Sequence, residues 1–331
     1  MKLMIIRPGA LGDTLMLLPS LLALPVGTEV TFVGRQPGLE FMRPHVKSAM
    51  DMERHGWHGL FMDGRDAIRL PVSGADLTVA FFRDEDGVIS RNLQSVLPKG
   101  SVFVFPSLPP REEPIHVAYY IALCLKKSGL PVDPENALNE IKQVLDRRGG
   151  TGKTFRNKMV FHPGSGSREK NHSGDFWLDL LGFAKKDSRL GRLESIILLG
   201  PAEKNLVAFL GNSPLTSGSR ILFCPDKEVL LPLLGETAVY IGHDSGVTHL
   251  SAMGGTPTIA LFRKTDPTKW APLGPYVDII NDRKTSREVI ERTLASARKF
   301  IEFCHSSSFA EGSFASVRGG KKRIKPVSPE R

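Results

Sequence analysis

Short apolar runs recur along this chain, each closed by glycine, proline or a charged residue and most followed by a stretch with helical spacing. Lys2–Ile6, Glu29–Val33, Asp76–Phe82 and Ser101–Phe105 are such runs in the first half. Lys158–Phe161, Ser195–Leu199, Arg220–Phe223, Ala238–Gly242, Thr258–Phe262 and Val277–Ile280 follow in the second. Runs of this length suit strands buried on both faces. Strands that alternate with helices pair in parallel, because a parallel neighbour is reached only through a crossover long enough to hold a helix. The pattern therefore predicts an α/β protein of parallel sheets covered by helices. Asp13–Leu24 and Ser286–Phe303 read as helices, as does Pro114–Ser128, where Ile115, Ala118, Tyr119, Ala122 and Leu125 recur at helical spacing. Residues 35–74 are broken by glycines and prolines and show no clear period.

The 331 residues fit two domains of about 150 each. A polar segment from Pro131 to Lys158, with Pro131, Pro134, Gly149, Gly150 and Gly152, is the expected connection, with a short helix at Ala137–Leu145. It divides residues 1–150 from 151–304. Residues 305–331, rich in Ser, Gly and Lys/Arg, cannot build a core and are expected to be disordered. That tail holds +4 of the net charge of +9. A body so mildly basic, with no aromatic-studded basic motif, argues against nucleic acid as a partner. It suits phosphorylated small molecules, or contact with an anionic membrane surface. The three cysteines, Cys124, Cys224 and Cys304, are too sparse for a disulfide framework or a structural metal site, so a reducing cytoplasm is the expected setting. Near the N-terminus Arg7, Pro8, Gly9, Gly12 and Asp13 interrupt the apolar stretch, and Leu15–Val26 is only twelve residues. Neither a cleaved signal nor a spanning helix is expected there.

Ligands of open α/β sheets bind beyond the carboxyl ends of the strands, so the residues just after each strand carry the functional expectation. Arg7-Pro8-Gly9-Ala10-Leu11-Gly12-Asp13 follows the first strand. Its glycines allow a tight turn, but their spacing is not that of a dinucleotide fingerprint. Asp13 reads either as a helix N-cap or as a carboxylate able to take a proton from a substrate hydroxyl. His162-Pro163-Gly164-Ser165-Gly166-Ser167-Arg168-Glu169-Lys170 follows the first strand of the second half. It is either a solvated loop or an arrangement of N–H groups, hydroxyls and a lysine that receives phosphate. Gly242-His243-Asp244-Ser245-Gly246-Val247-Thr248-His249 joins a strand to a helix. Asp244 or Ser245 would cap that helix, whose N-terminus would also attract an anion. Gly149-Gly150-Thr151-Gly152-Lys153-Thr154 resembles the end of a P-loop, but position 147 is Arg where the motif needs glycine, and a connector precedes it. His45, His55, His58, His116 and His172 show no partner spacing and read as surface or packing residues. Trp270 reads as a loop anchor or a crevice wall.

Taken together, these motifs resemble glycosyltransferase family 9, the ADP-heptose:lipopolysaccharide heptosyltransferase family, over residues 1 to 300. Four ordered blocks carry the resemblance: Arg7–Asp13, His162–Lys170, Leu199-Gly200-Pro201-Ala202-Glu203, and Ile241–Phe262 with Thr265-Asp266-Pro267. The most specific is Gly242–Leu250 with Gly255-Thr256-Pro257-Thr258. The resemblance implies a GT-B architecture, two Rossmann-like domains across a cleft, the first binding the acceptor and the second a nucleotide-sugar. It implies inverting transfer by a monomeric enzyme with no essential metal and no cofactor. The donor would be ADP-linked and the acceptor a lipopolysaccharide core or related glycolipid, met at the inner face of the inner membrane. Asp13 matches the general base, with Gly9, Leu11 and Gly12 lining the acceptor side. Ser165, Gly166, Ser167 and Lys170 match the donor-phosphate loop, and Glu203 an acidic residue near the ribose. Pro225 and Asp226 match the border of the base, and Asp244, Ser245, Gly246 and His249 the segment meeting diphosphate and sugar. Asn171-His172 stand where the family often has a basic residue and Trp, and Arg263-Lys264 where it has Gly-Pro. Two other readings remain at this stage: another GT-B enzyme, such as a nucleotide-sugar 2-epimerase, and a non-catalytic sugar-nucleotide-binding protein.

Overall fold

The computed structural model describes every residue except 55, 64–69, 73, 140, 142–155, 282–286 and 311–331. Two parallel sheets form it. The first holds β1 (Lys2–Ile6), β2 (Glu29–Gly34), β3 (Ser48–Asp51), β4 (Leu77–Phe81) and β5 (Ser101–Phe105), in the order β3-β2-β1-β4-β5. The second holds β6 (Lys158–His162), β7 (Glu194–Leu199), β8 (Arg220–Phe223), β9 (Thr237–His243), β10 (Thr258–Phe262) and β11 (Val277–Asn281), in the order β11-β10-β9-β6-β7-β8. In each sheet the chain runs outward from its first strand, then crosses back to that strand's other side. The order therefore reverses between β1 and β4 and between β6 and β9, and a crevice opens at such a reversal. The register places His162 level with Gly242, so the loops leaving β6 and β9 start side by side.

β1, β4, β9 and β10 are apolar on both faces and almost wholly buried, as helices on both sides require. One apolar cluster joins Leu3, Phe32 and Val79 of the first sheet with Val160, Ile196 and Tyr240 of the second, so the two halves share a core where they meet. Polar contacts tie them as well: Lys227 pairs with Glu40 at 3.0 Å, a ring nitrogen of His116 meets the Ala271 carbonyl at 2.9 Å, and Lys269 donates to the Arg111 carbonyl at 2.7 Å.

The expected elements are changed in several places. The helix expected over Asp13–Leu24 is two, Leu11–Leu15 and Leu18–Leu22, because Pro19 has no N–H for the Leu15 carbonyl. Asp13 is not the cap: Ala10 is, and Asp13 sits in the first turn. The helix expected at Pro114 starts at Val117, where the His116 side chain accepts the Ala118 N–H. β3 and the helix Val88–Val96 were not expected. The last helix runs Arg287–Ala310, six residues into the stretch expected to be disordered. Residues 311–331, His55, most of the connecting segment and the P-loop-like string lie outside the described residues; 134–139 of that connection are helical. Among the described residues no helix is long and apolar enough to cross a membrane.

Candidate functional site

Arg7 follows β1 directly; it is buried and spans three elements. Its Nε donates to the Asp13 carbonyl at 3.0 Å, its Nη1 to the Ser107 carbonyl at 2.9 Å, and its guanidinium lies over the Phe81 ring. Burial lowers its pKa to about 10. The Asp13 backbone is thereby fastened to the end of the first sheet. The Asp13 carboxylate accepts the Ala10 N–H at 3.2 Å and remains partly exposed. Gly9 lets it do so, since a Cβ there would fall 2.5 Å from that of Asp13.

Across the crevice, the helix Gly246–Met253 is capped by Ser245, whose hydroxyl accepts the Thr248 N–H at 3.3 Å. The capping hydroxyl is itself set from below: Ser245 and Thr248 hydroxyls lie 3.0 Å apart, Thr248 meets Tyr240 at 3.1 Å, and Tyr240 meets His162 at 2.7 Å. Burial pushes the His162 pKa down to about 4, so it is a neutral partner in this network. Asp244, just before the cap, is buried between Lys170 and His249. Lys170 Nζ donates to one oxygen at 2.8 Å and His249 Nε2 lies 3.4 Å from the other. Burial raises the Asp244 pKa, but hydrogen bonds from His249 and Lys170 outweigh it and hold the carboxyl at about 2.

The loop after β6 folds back on itself. The Ser165 hydroxyl reaches the Ser167 carbonyl at 2.9 Å and Asn171 Oδ1 at 2.6 Å. Gly164 lies against Glu203, whose carboxylate would be 2.2 Å from a Cβ there. Glu203 follows β7, is buried, accepts the Gly200 N–H at 3.0 Å, and has its pKa raised by burial. Gly166 faces open space and is exposed.

The two sides of the crevice meet at glycines. A Cβ on Gly246 would be 2.7 Å from that of Leu11 and 3.0 Å from the Gly12 nitrogen, and one on Gly12 would be 3.2 Å from the His249 ring. The structure thus sets Leu11 and Gly12, beside Asp13, against Gly246 and His249, pairs Lys170 and His249 with Asp244 next to Ser245, and lays the Ser165 loop against Glu203. Pro225 and Asp226 follow the edge strand β8 directly after Cys224, whose thiol feels the Glu203 charge, and the Asp226 carboxylate caps the helix Lys227–Gly235. Trp270 is half-buried against the shared core, an anchor. Sequence reading missed His243, Asn171 and Arg263, which hold the β6 loop in place; their partners lie 71 to 92 residues away, and no local spacing signals that. Among the described residues no group of three His, Cys, Asp or Glu could hold a metal ion.

The model of glycosyltransferase family 9 (heptosyltransferase) matches residues 92–296, a span that leaves the Asp13 segment outside it. Solved structures extend the likeness over the first half. The E. coli heptosyltransferase WaaC with ADP superposes with a TM-score of 0.65 at 15% identity, over 92% of this chain and 99% of that one. A family 9 glycosyl transferase from Veillonella parvula gives 0.64 at 14%, over 91% and 97%. E. coli ADP-heptose lps heptosyltransferase II gives 0.63 at 15%, over 92% and 100%. No curated protein matches the chain in sequence. The two sheets are thus the two halves of a GT-B fold.

Proposed function

The chain belongs to glycosyltransferase family 9, and on that premise we propose that it moves heptose from ADP-heptose onto a lipopolysaccharide core or related cell-surface glycan, with inversion. The solved relatives named for ADP and for lipopolysaccharide heptosyl transfer support this choice of donor and acceptor. In this reading residues 1–150 take the acceptor and 151–304 the donor. Ser165, Gly166, Ser167 and Lys170 receive the diphosphate, Glu203 the ribose, and Pro225 and Asp226 border the base. Asp13 removes the proton of the acceptor hydroxyl as it attacks. The observation that carries the reading is the contact of Gly12 with Gly246 and His249. It sets a partly exposed carboxylate one residue from the N-terminus of the donor-side helix. An acceptor hydroxyl is a poor nucleophile until a base takes its proton, and the leaving diphosphate gathers negative charge. Lys170 and the Gly246 helix N-terminus stabilise that charge more in the transition state than before it, with no call on a metal ion. The basic C-terminal residues support a peripheral station on an anionic membrane surface, in this reading the inner face of the inner membrane.

The test is direct. ADP should raise the melting temperature more than UDP or GDP. ADP-heptose should be consumed, with inverted product, only when a lipopolysaccharide-core acceptor is added. Conversion of the donor alone would identify an epimerase, and ADP binding with no turnover on any such acceptor would identify a binding protein.

A further inference from the structure

One side chain that takes no part in the roles above closes both ends of the β6 loop. His243, the last residue of β9, is fully buried. Its Nε2 accepts the His172 N–H at 2.9 Å, so the ring proton sits on Nδ1 and is donated to the Pro163 carbonyl at 3.0 Å. A single neutral imidazole thus draws residues 163 and 172 together and leaves Ser165, Ser167 and Lys170 on the span between them. The ring is wedged edge-on to Trp177, with centroids 5.1 Å apart at 81°, and tilted against His172 at 5.3 Å. Burial holds it uncharged, well below the usual histidine range. The next residue, Asp244, pairs with Lys170, so one strand end sets both the frame of the loop and the place of its cation. Arg263, from the end of β10, adds a hydrogen bond to the Asn171 carbonyl.

We propose that His243 is a positioning residue for the donor: by joining the Pro163 carbonyl to the His172 N–H it fixes the loop that presents Lys170 to a nucleoside diphosphate. The inference rests on the reading of residues 165–170 as the phosphate loop. Without the bridge the loop would have to order itself on binding, and that cost falls on affinity. A buried carbonyl and a buried N–H would also lose their partners.

The test is calorimetry with ADP on the full chain and on His243→Phe, His243→Gln and Lys170→Ala. Phenylalanine keeps a ring between Trp177 and His172 but neither donates nor accepts. His243→Phe should weaken ADP roughly ten- to a hundredfold, with kcat at saturating donor far less affected. His243→Gln, whose carboxamide can both donate to the Pro163 carbonyl and accept the His172 N–H, should recover most of the affinity. If His243→Phe does not fold, His243→Asn, too short to span both partners, carries the same expectation. A folded variant that is less stable but binds ADP with unchanged Kd overturns the inference. So does a nitrogen-15 spectrum of the wild type that puts the His243 proton on Nε2. Lys170→Ala separates the two levels. If it binds ADP like the wild type, the phosphate-loop reading fails; if it loses affinity and the His243 variants do not, only the positioning role fails.

Discussion

Asp13 shows how one carboxylate serves the local fold and remains available for chemistry. One oxygen takes the Ala10 N–H of its own helix turn, and the group stays partly exposed. Asn at this position keeps an oxygen for Ala10 but cannot take a proton. Asp13→Asn should therefore leave the melting temperature and ADP affinity near wild type while cutting turnover by about 10²–10⁴. A variant that keeps more than a third of the wild-type rate would return Asp13 to a purely structural part. The sequence left both parts open, because an aspartate at the start of a helix serves either. The backbone decides that the N-cap is Ala10, and the protection of the Asp13 main chain by Arg7 depends on a fold that brings residue 107 alongside.

At the scale of elements, the glycine contact between the helices Leu11–Leu15 and Gly246–Met253 makes graded demands. Gly246→Ala would set a methyl against Leu11 and the Gly12 backbone, and backbone cannot step aside. Overpacking of this kind costs about 1–3 kcal/mol, and here it would also push the two sides of the crevice apart. Gly12→Ala crowds the His249 ring at 3.2 Å but meets the Gly246 backbone only at ordinary contact, 3.6 Å, and Gly166→Ala has no neighbour within 4 Å. Melting temperature and kcat/KM should fall in the order Gly246→Ala, Gly12→Ala, Gly166→Ala, the last near wild type in stability. An equal effect at Gly246 and Gly166 would sink the close-contact argument. Strand positions were legible for ten of the eleven strands, because continuous apolar runs leave few alternatives. β3 was not: Ser48–Asp51 is four residues at a sheet edge with half-exposed side chains, and only Ala49 and Met50 speak for it. The loops of the site were legible as motifs after strands. What braces them was not, since His243 and Arg263 act through partners that only the sheet order brings near.

For the whole molecule, buried neutral histidines couple stability to pH. His162 titrates near its ordinary 6.5 when unfolded and at about 4 when folded. Between those values the unfolded chain binds the extra proton, so stability is full above pH 6.5 and is lost as pH falls towards 4. The loss from His162 is about 3 kcal/mol at most, and His243, shifted in the same direction, adds to it. Urea unfolding at several pH values should show this decline, and His162→Gln should flatten it. A profile with no slope over that range, or an unchanged slope in the variant, would contradict the neutral buried state. The apolar cluster common to both sheets couples the halves as well: each holds a cluster of its own, but melting either one exposes the shared part of the other's core.

The meeting of Gly12 and Gly246 bears on how such a molecule could open. A rotation that preserves the contact has its fulcrum there, and atoms move in proportion to their distance from it. The strands farthest from it along each sheet, β3 and β5 in the first and β8 in the second, would then sweep the longest arcs. Asp13, one residue from the pivot, would hardly travel, so such an opening leaves its carboxylate in step with the N-terminus of the Gly246–Met253 helix.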